Sequence, residues 1–325
     1  MTNVNSFAGF DVSKQFFDVC IVVNGKEQSA RFNYDNKGLA SLVRQLPQAA
    51  HCVMEATGPY YLQLACYLHK HGFKVSVVNP LVIKRFSQMR LLRAKTDKAD
   101  AKMIAAYAMT ERPPLWQPPT RYIIKLRQME ALLHQLEKQR SALLCQDEAF
   151  TSSSMLDKEV KQLLKSVLTD LQKRIKRIED RMEVIVKECY EHEFGSLQSI
   201  PGIGKKTALV LIVLTDCFKK FDNHKQVSAY IGISPRIIES GTSVKGKARI
   251  CKMGMSRLRA LLYLCAWSAK RCNKACKELY DRLVAKGKSK RLALIAVANK
   301  LVKQAFAIIR NKSVYQQEYS KIICL

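Results

Sequence analysis

Asp11, in Gly9-Phe10-Asp11-Val12-Ser13-Lys14, puts a carboxylate where an otherwise apolar strand would bury a hydrophobe. An isolated buried carboxylate is costly unless it is paired or binds a metal. Glu55 ends a second apolar strand, His51-Cys52-Val53-Met54-Glu55, just before the turn Ala56-Thr57-Gly58-Pro59. Strand ends of open α/β sheets are where ligands usually bind. Asp97 and Asp100, in Lys95-Thr96-Asp97-Lys98-Ala99-Asp100-Ala101, stand at i,i+3 near a helix start and share one face. That pair could equally offset the helix dipole, with Thr96 as N-cap. Carboxylate oxygens suit Mg²⁺, and paired metals clamp the attacking and leaving oxygens of phosphoryl transfer. Together the four acids describe an RNase H-like metal site.

Two further segments carry candidate chemistry. Ser199-Ile200-Pro201-Gly202-Ile203-Gly204-Lys205-Lys206-Thr207-Ala208 looks like a helix-hairpin-helix element, in which Gly202, Gly204, Lys205 and Lys206 could hold a phosphate at a helix N-terminus. The other reading is a tight interhelical turn. Downstream, Tyr230-Ile231-Gly232-Ile233-Ser234-Pro235-Arg236 leads to Glu239-Ser240-Gly241-Thr242-Ser243. A basic run follows, with Lys245, Lys247, Arg249, Lys252, Arg257 and Arg259 and no acidic residue. Ser240 among cations could be a nucleophile, or a phosphate hydrogen-bonder or cap. The cations point to phosphate contact. Lys286, Lys288, Lys290 and Arg291 form another basic stretch. Tyr122, Tyr230 and Trp267 read first as core residues, with base stacking as their other role.

These residues need elements to position them. Phe7 to Val12, Phe16 to Val23 and Glu27 to Phe32 alternate in β fashion, and Asn24-Gly25 signals a type I′ hairpin, so a three-stranded antiparallel meander is expected. Helical periods at 36–46, 58–72 and 80–90 then alternate with short apolar strands at 51–54 and 74–78, giving a mixed α/β sheet. Pro113, Pro114, Pro118 and Pro119 forbid helix, and the boundary is placed there. From 121 to 190 there is no Gly or Pro. A 3-4 apolar spacing runs from Tyr122 through Leu143, interrupted by Arg140, and resumes from Val160 through Ile185. Thr151-Ser152-Ser153-Ser154 breaks the two runs, so an antiparallel coiled-coil hairpin is expected, with two ordinary bundle helices as the alternative. A third, mostly helical region follows. The expected domains are 1–112, 113–192 and 193–325.

Composition narrows the class. The chain has 325 residues, 48% hydrophobic and 25% charged, which is globular rather than disordered. Lys and Arg total 55 against 27 Asp and Glu, a net charge of +28 that fits a polyanionic partner, nucleic acid before membrane. No uninterrupted apolar run of about 18 residues and no secretory signal pattern is found, so a cytoplasmic location is expected. Eleven cysteines fit a reducing compartment as small hydrophobes, and only Cys272 and Cys276 stand close, without paired zinc-ligand spacing.

GFDVSK at 9–14, MEATGPY at 54–60, KTDKADAKMIA at 95–105, SIPGIGKKTA at 199–208 and the stretch from YIGISPR through ESGTSVKGKARICKMG to LRALLY resemble the Piv/MooV family. These are the DEDD transposases and DNA invertases of bacterial insertion sequences, including bridge-RNA-guided recombinases. The resemblance runs from about residue 7 to about 310 in order and spacing. It implies an N-terminal α/β RuvC-like domain, a helical coiled-coil middle and a mostly α-helical C-terminal transposase domain. It implies that Asp11, Glu55, Asp97 and Asp100 bind Mg²⁺ and that Ser240 attacks a DNA phosphodiester to give a phosphoserine intermediate. It also implies donor and target DNA as partners, a structured noncoding guide RNA in some members, dimers assembling to tetramers, and a bacterial, nucleoid-associated setting without a membrane. Base pairing by a guide would leave the protein to bind backbone and shape, which suits its high charge. The other readings are a Holliday-junction endonuclease using metal-activated water, an invertase without guide RNA, and a noncatalytic nucleic-acid-binding protein.

Overall fold

The computed structural model describes residues 6–91, 96–153, 156–236 and 249–317, with residues 239–240 and 244–245 as backbone. The chain divides into two compact units, Met1–Pro118 and Pro119–Leu325.

In the first unit, β1 (Ser6–Val12), β2 (Phe16–Val23) and β3 (Lys26–Asn33) form the expected antiparallel meander. Asn24 at φ 47° and Gly25 at φ 80° supply the two left-handed residues that a type I′ turn requires. Next come α1 (Asn36–Gln45), β4 (His51–Glu55), α2 (Tyr61–Lys70), β5 (Lys74–Val78), α3 (Pro80–Met89) and α4 (Asp97–Glu111). β4 pairs in parallel with both β1 and β5, giving the order β3-β2-β1-β4-β5. Alternation along the strands divides the core. Ala8, Phe10 and Met54 pack with Leu39, Leu42, Leu64 and Leu68 of α1 and α2. Phe7 and Val53 face the other way, toward Ile83 and Phe86 of α3 and Met103 and Ile104 of α4. This is the mixed α/β sheet that the strand and helix periods predict, with helices on both faces.

The proline-rich segment after α4 is extended and tied to β5. The Ser76 hydroxyl donates to the carbonyls of Pro113 and Pro114, at 3.0 and 2.8 Å, and the Trp116 N–H donates to the Val75 carbonyl at 2.7 Å.

The second unit opens with two long helices, α5 (Arg121–Ser152) and α6 (Lys158–Gln198). They run antiparallel, with the hydroxyls of Thr120 and Tyr190 3.3 Å apart at one end and Arg140 donating to Gln172 farther along. Buried side chains on α5 end at Leu133 and those on α6 begin at Ile175, so the far half of the pair leaves Leu144, Phe150, Val160, Leu163 and Val167 exposed. Thr151 and Ser152 still belong to α5, and Ser154 lies outside the described residues. The cap of α6 is not one of these serines but Asp157, whose carboxylate accepts from the N–H groups of Glu159 and Val160.

α7 (Lys205–Thr215), α8 (His224–Ile231), α9 (Ser256–Cys272), α10 (Lys274–Ala285) and α11 (Lys290–Arg310) complete the helical core. Between α8 and α9 lie two short ribbons that helical periodicity did not foresee. One pairs β6 (Pro235–Arg236) with β9 (Arg249–Ile250), and the other pairs β7 (Glu239–Ser240) with β8 (Val244–Lys245). By length and composition α11 is apolar enough to cross a membrane, with a mean hydropathy of 1.7 over its best 18-residue window. Lys300 and Lys303 interrupt its apolar run in the sequence, and its apolar face, including Leu294, Val297, Leu301 and Val302, is buried in the core.

Candidate active site

Asp11 is the penultimate residue of β1, and Glu55 is the last residue of the adjacent parallel strand β4. Phe10 and Met54 are paired in register, so the next residue on each strand is an acid and both acids lie at the same edge of the sheet. The Thr57 hydroxyl donates to the Glu55 carboxylate and fixes it above the turn.

Asp97 and Asp100 occupy the first turn of α4, with the Thr96 hydroxyl accepting from the Ala99 N–H at 3.2 Å. This turn therefore has both a proper cap and acids that complement the helix dipole. It also serves a second purpose, because Gly9 brings α4 against β1. A Cβ on Gly9 would lie 2.2 Å from the backbone nitrogen of Ala105 and 2.5 Å from the carbonyl oxygen of Ala101. With no side chain at Gly9 and methyl groups at Ala101 and Ala105, the helix backbone lies directly on the strand, two residues from Asp11.

The electrostatic result is visible at Asp11, whose carboxyl is pushed up to about 6. Burial contributes most, followed by the fields of Asp100, Glu55, Asp97 and Asp18. Asp11 thus lies within the field of the other three acids singled out in the sequence. Among the described residues, no three His, Cys, Asp or Glu side chains are close enough to hold a metal ion.

Two residues near this site were not singled out by the sequence reading. Asp18 of β2 lies directly opposite Asp11 in the antiparallel ladder, and Arg31 of β3 lies directly opposite Asp18. The Arg31 guanidinium grips Asp18 through two hydrogen bonds, of 3.1 and 2.8 Å, and also donates to Asp97 at 3.2 Å. It lies over the Phe16 ring, 4.0 Å from the centroid. The signal for this row was present, because a two-residue turn at Asn24-Gly25 fixes the β2–β3 register and hence the Asp18–Arg31 pair.

In the second unit Ser240 is a residue of β7 and pairs with Val244 of β8. Lys245 is in β8, and Lys247 lies outside the described residues. Arg236 and Arg249 are exposed and directly opposite each other on the β6–β9 ribbon. Like charges so placed repel, an arrangement relieved by an anion between or beside them. Lys252 is exposed with φ 58°, its N–H donating to the Gly232 carbonyl at 3.1 Å.

Arg257 departs from the expectation of a free phosphate contact. Its side chain is only 11% exposed and forms ion pairs with Glu130 and, at 2.8 Å, Glu137, both on α5. The basic run has no acidic neighbour in sequence, but folding brings two from α5. Lys205 is paired with Glu183 at 3.1 Å, and Lys206 with Glu137 and, at 3.0 Å, Glu179. Gly202, at φ 104°, lies against α9, where a Cβ would be 2.6 Å from that of Ala269. That is the close approach of an interhelical turn. Gly204 has open space around it at the start of α7. The three aromatics expected in the core are exposed instead: Tyr122 at 54%, Tyr230 at 39% and Trp267 at 47%.

Comparison with known proteins places the chain in a family. Residues 8–151 match the DEDD transposase model of the IS110 group, and residues 195–281 match the transposase model of the IS116/IS110/IS902 family. The pilin gene-inverting protein of Moraxella bovis is 31% identical over 314 residues, 94% of this chain and 96% of its own. That of Moraxella lacunata aligns over the same extent at the same identity. The transposase for insertion sequence element IS1111A of Coxiella burnetii is 25% identical over 345 residues, 95% of this chain and 90% of its own. These matches, with the mixed α/β sheet of the first unit, define a DEDD-type DNA recombinase. The chain belongs to the IS110 family of transposases.

Proposed function

We propose that this protein cuts and rejoins DNA through a covalent phosphoserine intermediate on Ser240, aided by a divalent cation, Mg²⁺, around which Asp11, Glu55, Asp97 and Asp100 would draw together. The observation that carries this reading is the burial of Asp11 together with the carboxylates gathered around it, which push its carboxyl up to about 6 in a transposase-family fold. A buried carboxylate with further oxygen donors around it suits a hard cation, which offsets both its burial and their repulsion on binding. When bound, such a cation supplies positive charge at the phosphate oxygens.

The chain's own residues do the rest. Thr57 orients Glu55, Gly9 admits α4 so that Asp97 and Asp100 reach the sheet edge, and Arg31 neutralises Asp18 beside the site. Arg236 and Arg249 draw a phosphate to the β6–β9 ribbon, which flanks Ser240 in the sequence, with Lys245, Lys247 and Lys252 adding charge. The Ser240 Oγ gives up its proton and forms a bond to phosphorus as one phosphorus–deoxyribose oxygen bond breaks. The released oxygen takes a proton. Attack by a hydroxyl of another strand reverses these steps, rejoins the DNA and frees the serine.

The far half of the α5–α6 pair, with its exposed apolar residues, would act as a coiled coil in homo-oligomer assembly, from dimer to tetramer. Donor and target DNA are the substrates, a structured guide RNA supplies sequence recognition, and the site of action is the bacterial nucleoid in the cytoplasm.

The test is to incubate the protein with Mg²⁺, coexpressed RNA and labelled junction DNA, then to seek a denaturation-resistant protein–DNA adduct. An adduct lost in both Ser240→Ala and Asp11→Ala supports the reading. Cleavage without an adduct, unchanged by Ser240→Ala, refutes the serine role and leaves a metal-dependent nuclease.

A further inference from the structure

We propose that the groove between α10 and α11 is a seat for the sugar–phosphate backbone of duplex DNA. The groove holds about 550 Å³ and is lined by Lys274, Glu278 and Arg282 from α10 and by Lys300 and Lys303 from α11. Lys274, Glu278 and Arg282 follow at i, i+4 and i+8, and Ala296, Lys300 and Lys303 at i, i+4 and i+7, so each helix turns one continuous stripe toward the gap. Four cations thus face a single carboxylate.

The state of these cations sets them apart from three of the cations singled out by sequence. Lys205, Lys206 and Arg257 are held by glutamates of the same unit. Among the described residues, no ion pair involves Lys274, Arg282, Lys300 or Lys303. Lys274, Arg282 and Lys303 are exposed, and Lys300 is half-buried. Their field extends to α8, where burial and then Lys303 and Lys225 hold the His224 imidazole below its usual value. The turn joining α10 to α11 carries Lys286, Lys288 and, at the start of α11, Lys290 and Arg291, all exposed. The groove therefore opens at one end onto more positive charge.

A linear array of unneutralised cations fits a polyanion that runs past it, because phosphates at regular spacing can each release a counterion. Duplex DNA is the polyanion that a transposase must hold. Glu278 sets a limit on the contact, since its charge opposes the phosphates.

The experiment measures binding of a fluorescein-labelled duplex of arbitrary sequence by anisotropy across a salt series, using the full chain. Replacing Lys274, Arg282, Lys300 and Lys303 together by Gln should lower affinity at moderate salt by about ten-fold or more and flatten the salt slope by about 2 to 4. Glu278→Gln should tighten binding. Thermal melting reports whether the quadruple variant folds. If it does not, Arg282→Gln and Lys303→Gln singly, each expected to flatten the slope by about one, decide the matter. The control removes the same charge from the first unit by replacing Lys26, Lys37, Lys70 and Lys84. An equal loss in that control, an unchanged slope in the groove variants, or a groove effect seen only with an RNA probe would each overturn the assignment.

Discussion

Asp11 and Asp18 face each other directly across the β1–β2 ladder, two carboxylates where adjacent strands ordinarily place compatible neighbours. The arrangement is tolerated because Arg31 is the next residue in the same row and takes Asp18 in a two-pronged grip. Asp11 is left without a cation, and burial first, then the fields of Asp100, Glu55, Asp97 and lastly Asp18, raise its carboxyl to about 6.

Stability without metal should therefore depend on pH. Between the ordinary Asp value and about 6, native Asp11 keeps its proton while the unfolded chain has lost it. The native state binds more protons there, so stability falls as pH rises through that window and levels off above it. Melting in a chelating buffer from pH 4 to 8 checks this. Asp11→Asn should flatten the fall, and added Mg²⁺ should raise the melting temperature mainly above pH 6.

Removing Arg31 leaves Asp18 buried and unpaired beside Asp11. Arg31→Ala should lower the melting temperature, with a larger fall at pH 8 than at pH 5, because only ionised carboxylates repel. Arg31→Lys, which cannot reproduce the two-pronged grip, should recover part of the loss. Equal effects at both pH values would count against the electrostatic account.

At Gly9 the expectation is steric. Gly9→Ala drives a methyl into the backbone of α4, so a loss of roughly 1–3 kcal/mol is expected together with loss of strand cleavage. Urea denaturation gives the first and an adduct assay the second. Gly25→Ala, at an open turn away from the acids, should leave cleavage intact despite its strained φ of 80°.

Arg257 separates a structural cation from a DNA-binding one. Arg257→Ala strands Glu130, while Glu137 keeps Lys206, and should cost roughly 3–5 kcal/mol. In the protein that remains folded, the salt slope of DNA binding should stay unchanged.

On the exposed half of the long helices, Leu163→Lys with Val167→Lys should shift sedimentation toward smaller species. Melting temperature in dilute solution should scarcely change, since neither side chain is buried.

The first unit was largely legible in the sequence because its signals are local. Alternation gave β1 to β3, Asn24-Gly25 fixed their register, and short apolar runs gave β4 and β5. The acids were legible as interruptions of those runs. Partners were harder to read because they come from elsewhere in the chain. The run from Lys245 to Arg259 looks uniformly basic, yet folding sets Arg257 against Glu130 and Glu137, and Lys206 against Glu137 and Glu179. Likewise the exposure of Tyr122 and Trp267 depends on which side of a long helix meets the core, and apolar content alone does not determine that.

The contact between Gly9 and α4 also has a bearing on the order of synthesis. Asp11 leaves the ribosome well before Asp97 and Asp100, which come at the far end of the same unit, and α4 must follow them before it can settle on the strand. The growing chain thus carries an incomplete acidic cluster for most of the unit's translation. The cluster is completed only when α4 covers the sheet.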